Sequence, residues 1–249
     1  MNKIFLGDCL EVMKLLPSMS IDMILCDLPY GTTRAKWDSE IDLKLLWQQY
    51  DRIIKDNGAI LLFSQIPFTI KLGNSNIENL RYEWIWEKTQ ATGHLNAKKM
   101  PMKAHENILV FYKSLPTYNP QKTDGHERKV STAKHKKNTP TNQSELYNPY
   151  DKFTDYDSTE RYPRTVLKFP SDKQKIALHP TQKPLALCEY FIKTYTNEND
   201  IVLDNCCGSG TTLLAAKNLN RNYIGIEKDE KYFNIAKERV NELRKINLN

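Results

Sequence analysis

Short apolar runs alternate along the first half of the chain with segments in which apolar residues recur at helical spacing. Residues 23–26, 59–63 and 108–112 are almost wholly apolar, a pattern typical of strands covered on both faces of a sheet. Residues 3–6 and 82–87 also favour strands. Strands that alternate with helices in this way predict a doubly wound α/β sheet with crossover helices.

Three helices are predicted between these strands. One covers residues 9–16 and begins at the N-terminal cap Asp8. A second covers residues 42–55 and would be closed by Asn57-Gly58, and a third covers residues 67–76. The second helix carries its apolar residues on one face: Leu43, Leu46, Trp47, Tyr50, Ile53 and Ile54. That face is expected to pack on the sheet.

The second half of the chain contains a strand, a helix and a second strand in close succession. Residues 201–204 predict the first strand, 211–219 the helix and 223–226 the second strand, and the first turn contains Gly208-Ser209-Gly210. A helix over residues 184–195 is expected before this unit. A long helix follows it, with four apolar residues facing inward: Phe233, Ala236, Val240 and Leu243. The arrangement is typical of a nucleotide-binding βαβ unit.

Two polar segments interrupt this pattern. Residues 88–107 are predicted to form a loop over the active face. Residues 119–164 contain only two large aliphatic residues, Val130 and Leu146, too few for an independent core. They form either a solvated, partly unstructured insertion or an inserted target-recognition region, while 1–118 and 165–249 are expected to form one catalytic domain. Basic and aromatic residues are interleaved in the insertion, which suits a phosphate backbone and exposed bases.

Composition narrows the class of protein. The chain has 249 residues, 40% of them hydrophobic, a mean hydropathy of −0.62 and no apolar run long enough to span a membrane. The first residues lack the apolar segment of a signal peptide, so a cytoplasmic protein is expected. The five cysteines lack zinc-site spacing and are interpreted as reduced thiols, with no metal site. A net charge of +6 permits a nucleic-acid partner without requiring one.

The first candidate for a catalytic motif is Asp27-Leu28-Pro29-Tyr30, which directly follows the apolar run 23–26. These residues would lie at the carboxyl end of a strand, where open α/β sheets bind ligands. An amino group on a base is a poor nucleophile, because its lone pair is delocalised into the ring. The Asp27 carboxylate and the Leu28 carbonyl, aimed outward by Pro29, can accept the two amino hydrogens. Tyr30 can stack on the ring. For these four residues alone, a polar turn without catalytic function is the alternative.

The glycine turn suggests a second ligand. Gly208 and Gly210 let a ligand approach the main chain, and Glu227, at the end of the next strand, can bind ribose hydroxyls. A dinucleotide is the rival ligand, but Leu213 stands where its binding turn would carry a third glycine. A ligand without phosphate, such as S-adenosylmethionine, therefore suits the turn better.

Together these motifs resemble the β-class of amino-methylating DNA methyltransferases. Asp27-Leu28-Pro29-Tyr30 looks like the Asp-Pro-Pro-Tyr catalytic motif, with leucine in place of the first proline. His-Pro-Thr-Gln-Lys-Pro at 179–184, Val-Leu-Asp with Gly-Ser-Gly-Thr-Thr at 202–212 and Tyr-Ile-Gly-Ile-Glu at 223–227 look like the cofactor region, with Cys206 in place of the usual phenylalanine. The order is also that of the β-class: catalytic motif, recognition insert, cofactor motif.

The resemblance implies a Rossmann-like, S-adenosylmethionine-dependent methyltransferase fold, with a seven-stranded mixed sheet in circularly permuted order. It implies methyl transfer to the exocyclic N6 of adenine in DNA, on a base flipped out of the duplex. The residues expected at the cofactor are Asp8, Asp27, His179, Thr181, Lys183, Asp204, Cys206, Gly208, Ser209, Gly210, Thr211, Thr212 and Glu227. The residues expected at DNA are Lys98, Lys99, Arg128, Lys129, Lys134, Lys136, Lys137 and Arg161.

Several alternatives stay open at this point. The acceptor could be the N4 of cytosine, an RNA base or a protein glutamine, and a binding module could retain the cofactor fold without turnover. His179 could be a packed or capping histidine, Lys183 a solvated lysine and Asp204 a turn-stabilising strand end. DNA is the expected partner, with a cognate restriction endonuclease as a further one, and the chain would act as a monomer or a homodimer.

Overall fold

The computed structural model describes residues 2–31, 40–134, 155–171 and 182–241. The strands are β1 Lys3–Leu6, β2 Ile21–Cys26, β3 Ile54–Ser64, β4 Leu80–Thr92, β5 Lys103–Phe111, β6 Lys129–Ser131, β7 Tyr156–Ser158, β8 Val166–Phe169, β9 Ile201–Asp204 and β10 Asn222–Glu227. The helices are α1 Cys9–Met13, α2 Leu43–Ile53, α3 Phe68–Ser75, α4 Leu185–Tyr195, α5 Thr211–Asn218 and α6 Glu230–Asn241. The predicted alternation of strands and helices is confirmed.

Eight of the described strands form one mixed sheet in the order β1-β10-β9-β2-β3-β5-β4-β8. The first five run parallel to one another, β5 is antiparallel to both β3 and β4, and β8 pairs parallel with β4. Seven strands were expected. The eighth is β8, which follows the polar segment and extends the edge of the sheet beyond β4.

The continuous apolar runs are explained by helices on both faces of the sheet. Along β2, Met23 and Leu25 pack in one core, against α4 and α5, while Ile24 and Cys26 pack in the other, against α1 and α2. Because successive side chains of a strand point to opposite faces, the covered part of such a strand is apolar at successive positions, as at residues 23–26. β3 alternates between the two cores in the same way.

The predicted end of the second helix is wrong. α2 ends at Ile53, and Ile54 is already extended and pairs with Ile21 as the first residue of β3. Gly58 therefore lies within β3 and does not close the helix. An added Cβ at Gly58 would lie 2.9 Å from the main-chain oxygen of Asp22, so the glycine permits close contact between β3 and β2. Strand pairing thus overrides the local stop signal.

Residues 88–107 form a long hairpin, and the predicted loop is wrong. β4 and β5 remain paired out to Thr92 and Lys103, and the connection contains a short 3-10 helix, His94–Asn96. Gly93 begins the turn with a φ of 94°, in the left-handed region that glycine tolerates. Antiparallel pairing satisfies the main chain of both arms, so polar side chains do not prevent strand formation there.

The chain divides into two compact units, residues 1–119 with 165–249, and residues 120–164. In the described part of the second unit, β6 and β7 pair antiparallel, and Thr123 bridges Arg161. The contacts that hold this unit are polar. Arg128 pairs with Asp157 at 2.5 Å, and Lys122 lies 2.8 Å from a carboxylate oxygen of Glu160.

The state of the cysteines and the apolar character of the helices were also predicted from the sequence. The five cysteines are free thiols, as predicted. Among the residues that the structure describes, no helix has both the length and the apolar character needed to cross a membrane.

Candidate active site

Four carboxyl ends of parallel strands meet at one edge of the sheet. Leu6, at the end of β1, is in register with Glu227, at the end of β10, and Asp204, at the end of β9, is in register with Gly225. Asp27 follows β2 directly. The chain leaves β2 toward β3 on one side and β9 toward β10 on the other, so the boundary between β2 and β9 is a topological switch point. In open α/β sheets, ligands bind at this place.

A cavity of about 580 Å³ opens at this edge, a size that suits a small organic ligand. It brings together most of the residues predicted for catalysis and cofactor binding. The predicted residues on its wall are Asp8, Asp27, Leu28, Pro29, Tyr30, Lys183, Asp204, Cys206, Gly208, Ser209, Thr211, Thr212 and Glu227. His179 and Thr181 lie outside the described residues.

Asp27 is held from both sides. The hydroxyl of Tyr30 donates a hydrogen bond to its Oδ1 at 2.7 Å, and Nζ of Lys183 lies 2.7 Å from its Oδ2. The ring of Tyr30 is stacked on Phe68, with the ring centroids 5.0 Å apart, which restrains the tyrosine. Protein contacts thus orient the carboxylate and the aromatic ring of the motif.

Lys183 is buried between two carboxylates. Besides Asp27, its Nζ lies 3.0 Å from Oε2 of Glu106, whose Oε1 lies 2.6 Å from Nζ of Lys88. Only 9% of the Lys183 side chain is exposed, so the alternative of a solvated lysine is wrong. Glu106 and Lys88 were missed from the sequence. Glu106 precedes the apolar run of β5, and this polar position at a strand end was the one available signal.

Burial and charge act in opposite directions on these groups. Burial raises the pKa of Asp27, and the neighbouring Lys183 limits the rise. Burial would also raise the pKa of Glu106, but Lys183 and Lys88 outweigh it and lower the pKa to about 2. Burial favours the neutral amine of Lys183, yet the two carboxylates raise its pKa. The two ammonium groups thus oppose the effect of burial on the two carboxyl groups.

The glycine turn is closed by a carboxylate. Oε2 of Glu227 accepts a hydrogen bond from the main-chain nitrogen of Gly208 at 2.8 Å, and Oε1 accepts one from Asp229 at 2.8 Å. Gly210 has a φ of 78°, and an added Cβ there would lie 3.0 Å from Cβ of Ala236. Gly210 serves the turn and the packing of α6, and it is absent from the cavity wall. Each Glu227 oxygen keeps acceptor capacity for a ligand hydroxyl.

Asp8 and Asp204 have structural partners as well as places on the cavity wall. Asp8 caps α1 by accepting from Leu10 N at 3.0 Å, as predicted for a helix cap. Asp204 accepts from Cys206 N at 3.2 Å, which fits the role of a turn-stabilising strand end. Burial raises the pKa of Asp204 to about 7, opposed by the hydroxyl of Thr212 and the Cys206 amide.

Oε1 of Gln182, a buried acceptor in the cavity wall, has no hydrogen-bond partner among the described residues. Buried polar atoms are usually satisfied, and an unsatisfied one calls for a partner. The cavity therefore suits a ligand that carries hydrogen-bond donors. The ammonium group and ribose hydroxyls of S-adenosylmethionine are donors of this kind, so the residues fit that cofactor.

The residues predicted to bind DNA differ in their exposure and in their contacts. Lys98 and Lys99 are exposed in the β4–β5 connection, and Lys129 and Lys134 are exposed in the second unit. Arg128 pairs with Asp157, and Arg161 donates to main-chain carbonyls of the second unit, including that of Ser158. Both arginines thus help to hold this unit together. Lys136 and Lys137 lie outside the described residues.

The chain is similar in sequence to known DNA methyltransferases. A family model described as DNA methylase, of the N6 and N4 type, matches residues 21–238. The chain is 29% identical to the Type II methyltransferase M.HinfI of Haemophilus influenzae, over 98% of this chain and 69% of that protein. It is 28% identical to the Type II methyltransferase M1.MboII of Moraxella bovis, over 97% of each.

Solved structures share the fold. The crystal structure of the M1.HpyAVI complex with S-adenosylmethionine superposes with a TM-score of 0.64 at 29% identity, covering 97% of this chain and 100% of that one. The PvuII DNA methyltransferase, described as cytosine-N4-specific, superposes with a TM-score of 0.69 at 16% identity, covering 98% and 87%. At that identity the second likeness concerns the fold alone.

Proposed function

The chain belongs to the DNA methylase family of the N6 and N4 type, and from this premise we propose that it methylates the exocyclic N6 of adenine at specific sites in DNA. Its methyl donor is S-adenosylmethionine, which supplies an electrophilic methyl group on a sulfonium. The observation that carries the proposal is the oriented Asp27, which lies beside the glycine turn on the wall of one cavity.

Each residue of the motif 27–30 makes a different contact with the target base. Asp27 and the main-chain carbonyl of Leu28 accept the two amino hydrogens, which localises the nitrogen lone pair for attack. Pro29 keeps Leu28 extended, so that its carbonyl faces the base. Tyr30 contributes a flat ring for stacking. Holding the amino nitrogen in line with the methyl group supplies much of the rate enhancement.

Asp27 need not be a strong base to remove the proton. After methyl transfer the amino nitrogen is cationic and its hydrogen is acidic, so a carboxylate that is already hydrogen bonded to it can take the proton. Burial raises the pKa of Asp27, which supports this role because a more basic carboxylate accepts a proton more readily. Lys183 opposes the rise and so favours the ionised form.

The cofactor is assigned to the glycine turn and its neighbours. Glu227 would bind the ribose hydroxyls, the turn from Gly208 would approach the ligand through its main chain, and Asp8 would contact the adenine side. Gln182, which stands in the 179–184 motif but was not among the residues expected at the cofactor, adds a buried acceptor that suits the methionine ammonium. Every one of these groups lies on the cavity wall.

Recognition of the DNA sequence is assigned to the second unit, residues 120–164. Its exposed basic residues and interleaved tyrosines suit phosphates and bases, and Lys98 and Lys99 would add phosphate contacts. The curated relatives carry the description Type II methyltransferase, and we propose the corresponding biological role, which is protection of DNA against a cognate restriction endonuclease.

The choice of adenine rests on Asp27, since the N4-cytosine enzymes of the family more often resemble Ser-Pro-Pro-Tyr. The test is incubation of mixed DNA, RNA and protein, each in a separate reaction, with tritiated S-adenosylmethionine, followed by nucleoside digestion and mass spectrometry of the DNA. We expect N6-methyladenine. A product that consists of N4-methylcytosine would overturn the adenine assignment and leave amino methylation intact, and label in RNA or protein alone would overturn DNA as the substrate.

A variant tests the catalytic assignment directly. Asp27→Ala should abolish methyl transfer and leave the affinity for S-adenosylmethionine within a few fold, because Asp27 is assigned to the base. Asp51→Ala, at an exposed carboxylate of α2, is the control. Retention of more than about a tenth of the activity, equivalent to a loss of only about 1.4 kcal/mol of transition-state stabilisation, contradicts the assignment.

A further inference from the structure

The tip of the β4–β5 hairpin exposes apolar side chains. Leu95 has 97% of its surface exposed and Met100 58%. A single exposed leucine is ordinary on a protein surface. Here two large apolar side chains lie in one short connection, where the main chain turns at Gly93 through a left-handed φ of 94°.

The ionisable side chains toward the tip of the hairpin are all basic. Residues 89–105 contain three lysines and two histidines, and neither aspartate nor glutamate, whereas Lys88 at the base of the hairpin is paired with Glu106. Lys98 and Lys99 are exposed within the same connection as Leu95. An apolar side chain among cations suits double-stranded DNA, whose phosphates attract the lysines while its base stack accepts an apolar wedge.

The hairpin is continuous with the candidate active site. Gln90 and Thr92, near the end of β4, line the cavity that also contains Asp27. Leu95 follows Thr92 by three residues, so about 10 Å of extended chain at most separates it from the cavity wall. A side chain at this distance can reach the stack from which a base leaves to enter the cavity.

We propose that Leu95 inserts into the DNA base stack as a wedge that fills the space left by the flipped target base. The inference rests on the proposed function, because it needs a base that leaves the duplex. Filling the space offsets part of the unstacking cost. Lys98 and Lys99 hold the neighbouring phosphates, and Met100 covers the rim of the gap.

The test compares Leu95→Ala with Leu115→Ala, a matched control at a leucine that is 81% exposed outside the hairpin. Modified-base sequencing of DNA from cells that express the protein first identifies the target site. Single-turnover methylation is then measured on two duplexes, one fully paired and one with the target base in a mismatch. A mismatched base is already partly unstacked and needs less help to flip.

We expect Leu95→Ala to slow methylation of the paired duplex by about tenfold or more and that of the mismatched duplex by less than about threefold. Leu115→Ala should match the wild type on both. Equal rates for Leu95→Ala and the wild type on the paired duplex would overturn the wedge, as would equal losses on both duplexes. If the wild type methylates neither duplex, the proposed function itself has failed.

The lysines provide a second measurement on the same hairpin. Replacing Lys98 and Lys99 together by alanine should lower the slope of log affinity against log salt by about two, since each phosphate contact contributes about 0.9. An unchanged slope would show that DNA does not approach the hairpin tip and would overturn the proposal.

Discussion

The Nζ atom of Lys183 lies 2.7 Å from Oδ2 of Asp27, on the carboxylate to which we assign the amino group of the target base. Lys183 also faces Glu106 at 3.0 Å. When a base enters, the ammonium retains this second carboxylate, so Asp27 can turn one acceptor position toward the base. The buried pair therefore has two consequences, one for the ionisation of Asp27 and one for stability.

Removing the ammonium should change the pH dependence of activity. Burial raises the pKa of Asp27 and Lys183 opposes the rise, so Lys183→Met should raise that pKa further. The ionised carboxylate is the hydrogen acceptor, and activity is lost as pH falls through its pKa. The acid limb of the profile of kcat/KM should therefore move to higher pH. Lys193→Met, at an exposed lysine of α4, should leave the limb in place, and an unmoved limb in Lys183→Met would contradict the coupling.

Glu106→Gln should destabilise the fold, because it leaves Lys88 and Lys183 with a single buried counter-charge. Removing one partner of a buried pair costs about 3–5 kcal/mol, and the retained amide oxygen places this variant toward the lower end. Urea unfolding measures the effect. Glu87→Gln removes the exposed partner of Lys168 and should cost no more than about 1 kcal/mol. Equal losses in the two variants would argue against a structural role for the buried cluster.

The same carboxyl group predicts an acid effect on stability. The pKa of Glu106 is lowered from 4.5 to about 2, so its ionised form stabilises the folded protein above pH 4.5. That contribution is lost as pH falls from 4.5 toward 2. The free energy of unfolding of the wild type should decline more steeply in this window than that of Glu106→Gln. Parallel declines would show that the carboxyl group is not depressed in the folded state.

Glu227→Ala should weaken cofactor binding. Loss of a charge-assisted hydrogen bond to the ribose costs about 1.5–3 kcal/mol, and the Gly208 amide also loses its acceptor. Titration calorimetry with S-adenosylmethionine measures the change. Glu230→Ala, at an exposed glutamate in the first turn of α6, is the control. An affinity equal to that of the wild type would remove Glu227 from the ribose site.

Replacement of residues 120–164 by a short glycine and serine linker should leave a folded, cofactor-binding protein without specific DNA binding. Asn119 stays in this design, because its side chain donates to the carbonyl of Thr196 at 3.0 Å. Thr165 stays as well, since its carbonyl accepts from Ile85 beside β8. Circular dichroism, calorimetry and a DNA-binding assay are the measurements. Insoluble protein would show that the first unit depends on the second.

The sequence by itself determined the presence of the parallel strands, the cap of α1 and the order of the motifs. β1 and β9 begin and end at the predicted residues, because short apolar runs between polar turns leave one strand assignment. Asp8 caps α1 by accepting a hydrogen bond from the amide of Leu10, two residues away. These features depend on neighbours in the chain and can be read locally. The roles of individual site residues stay predictions.

Tertiary structure decided what depends on strand pairing. The end of α2 follows from the pairing of Ile54 with Ile21, and the hairpin arms extend to Thr92 because β5 satisfies their main chain. Glu106 joins Lys183 because β5 runs antiparallel to β3 and therefore begins at the edge where β2 ends. Each of these contacts depends on which strand lies next to which, and no local pattern of polarity encodes that choice.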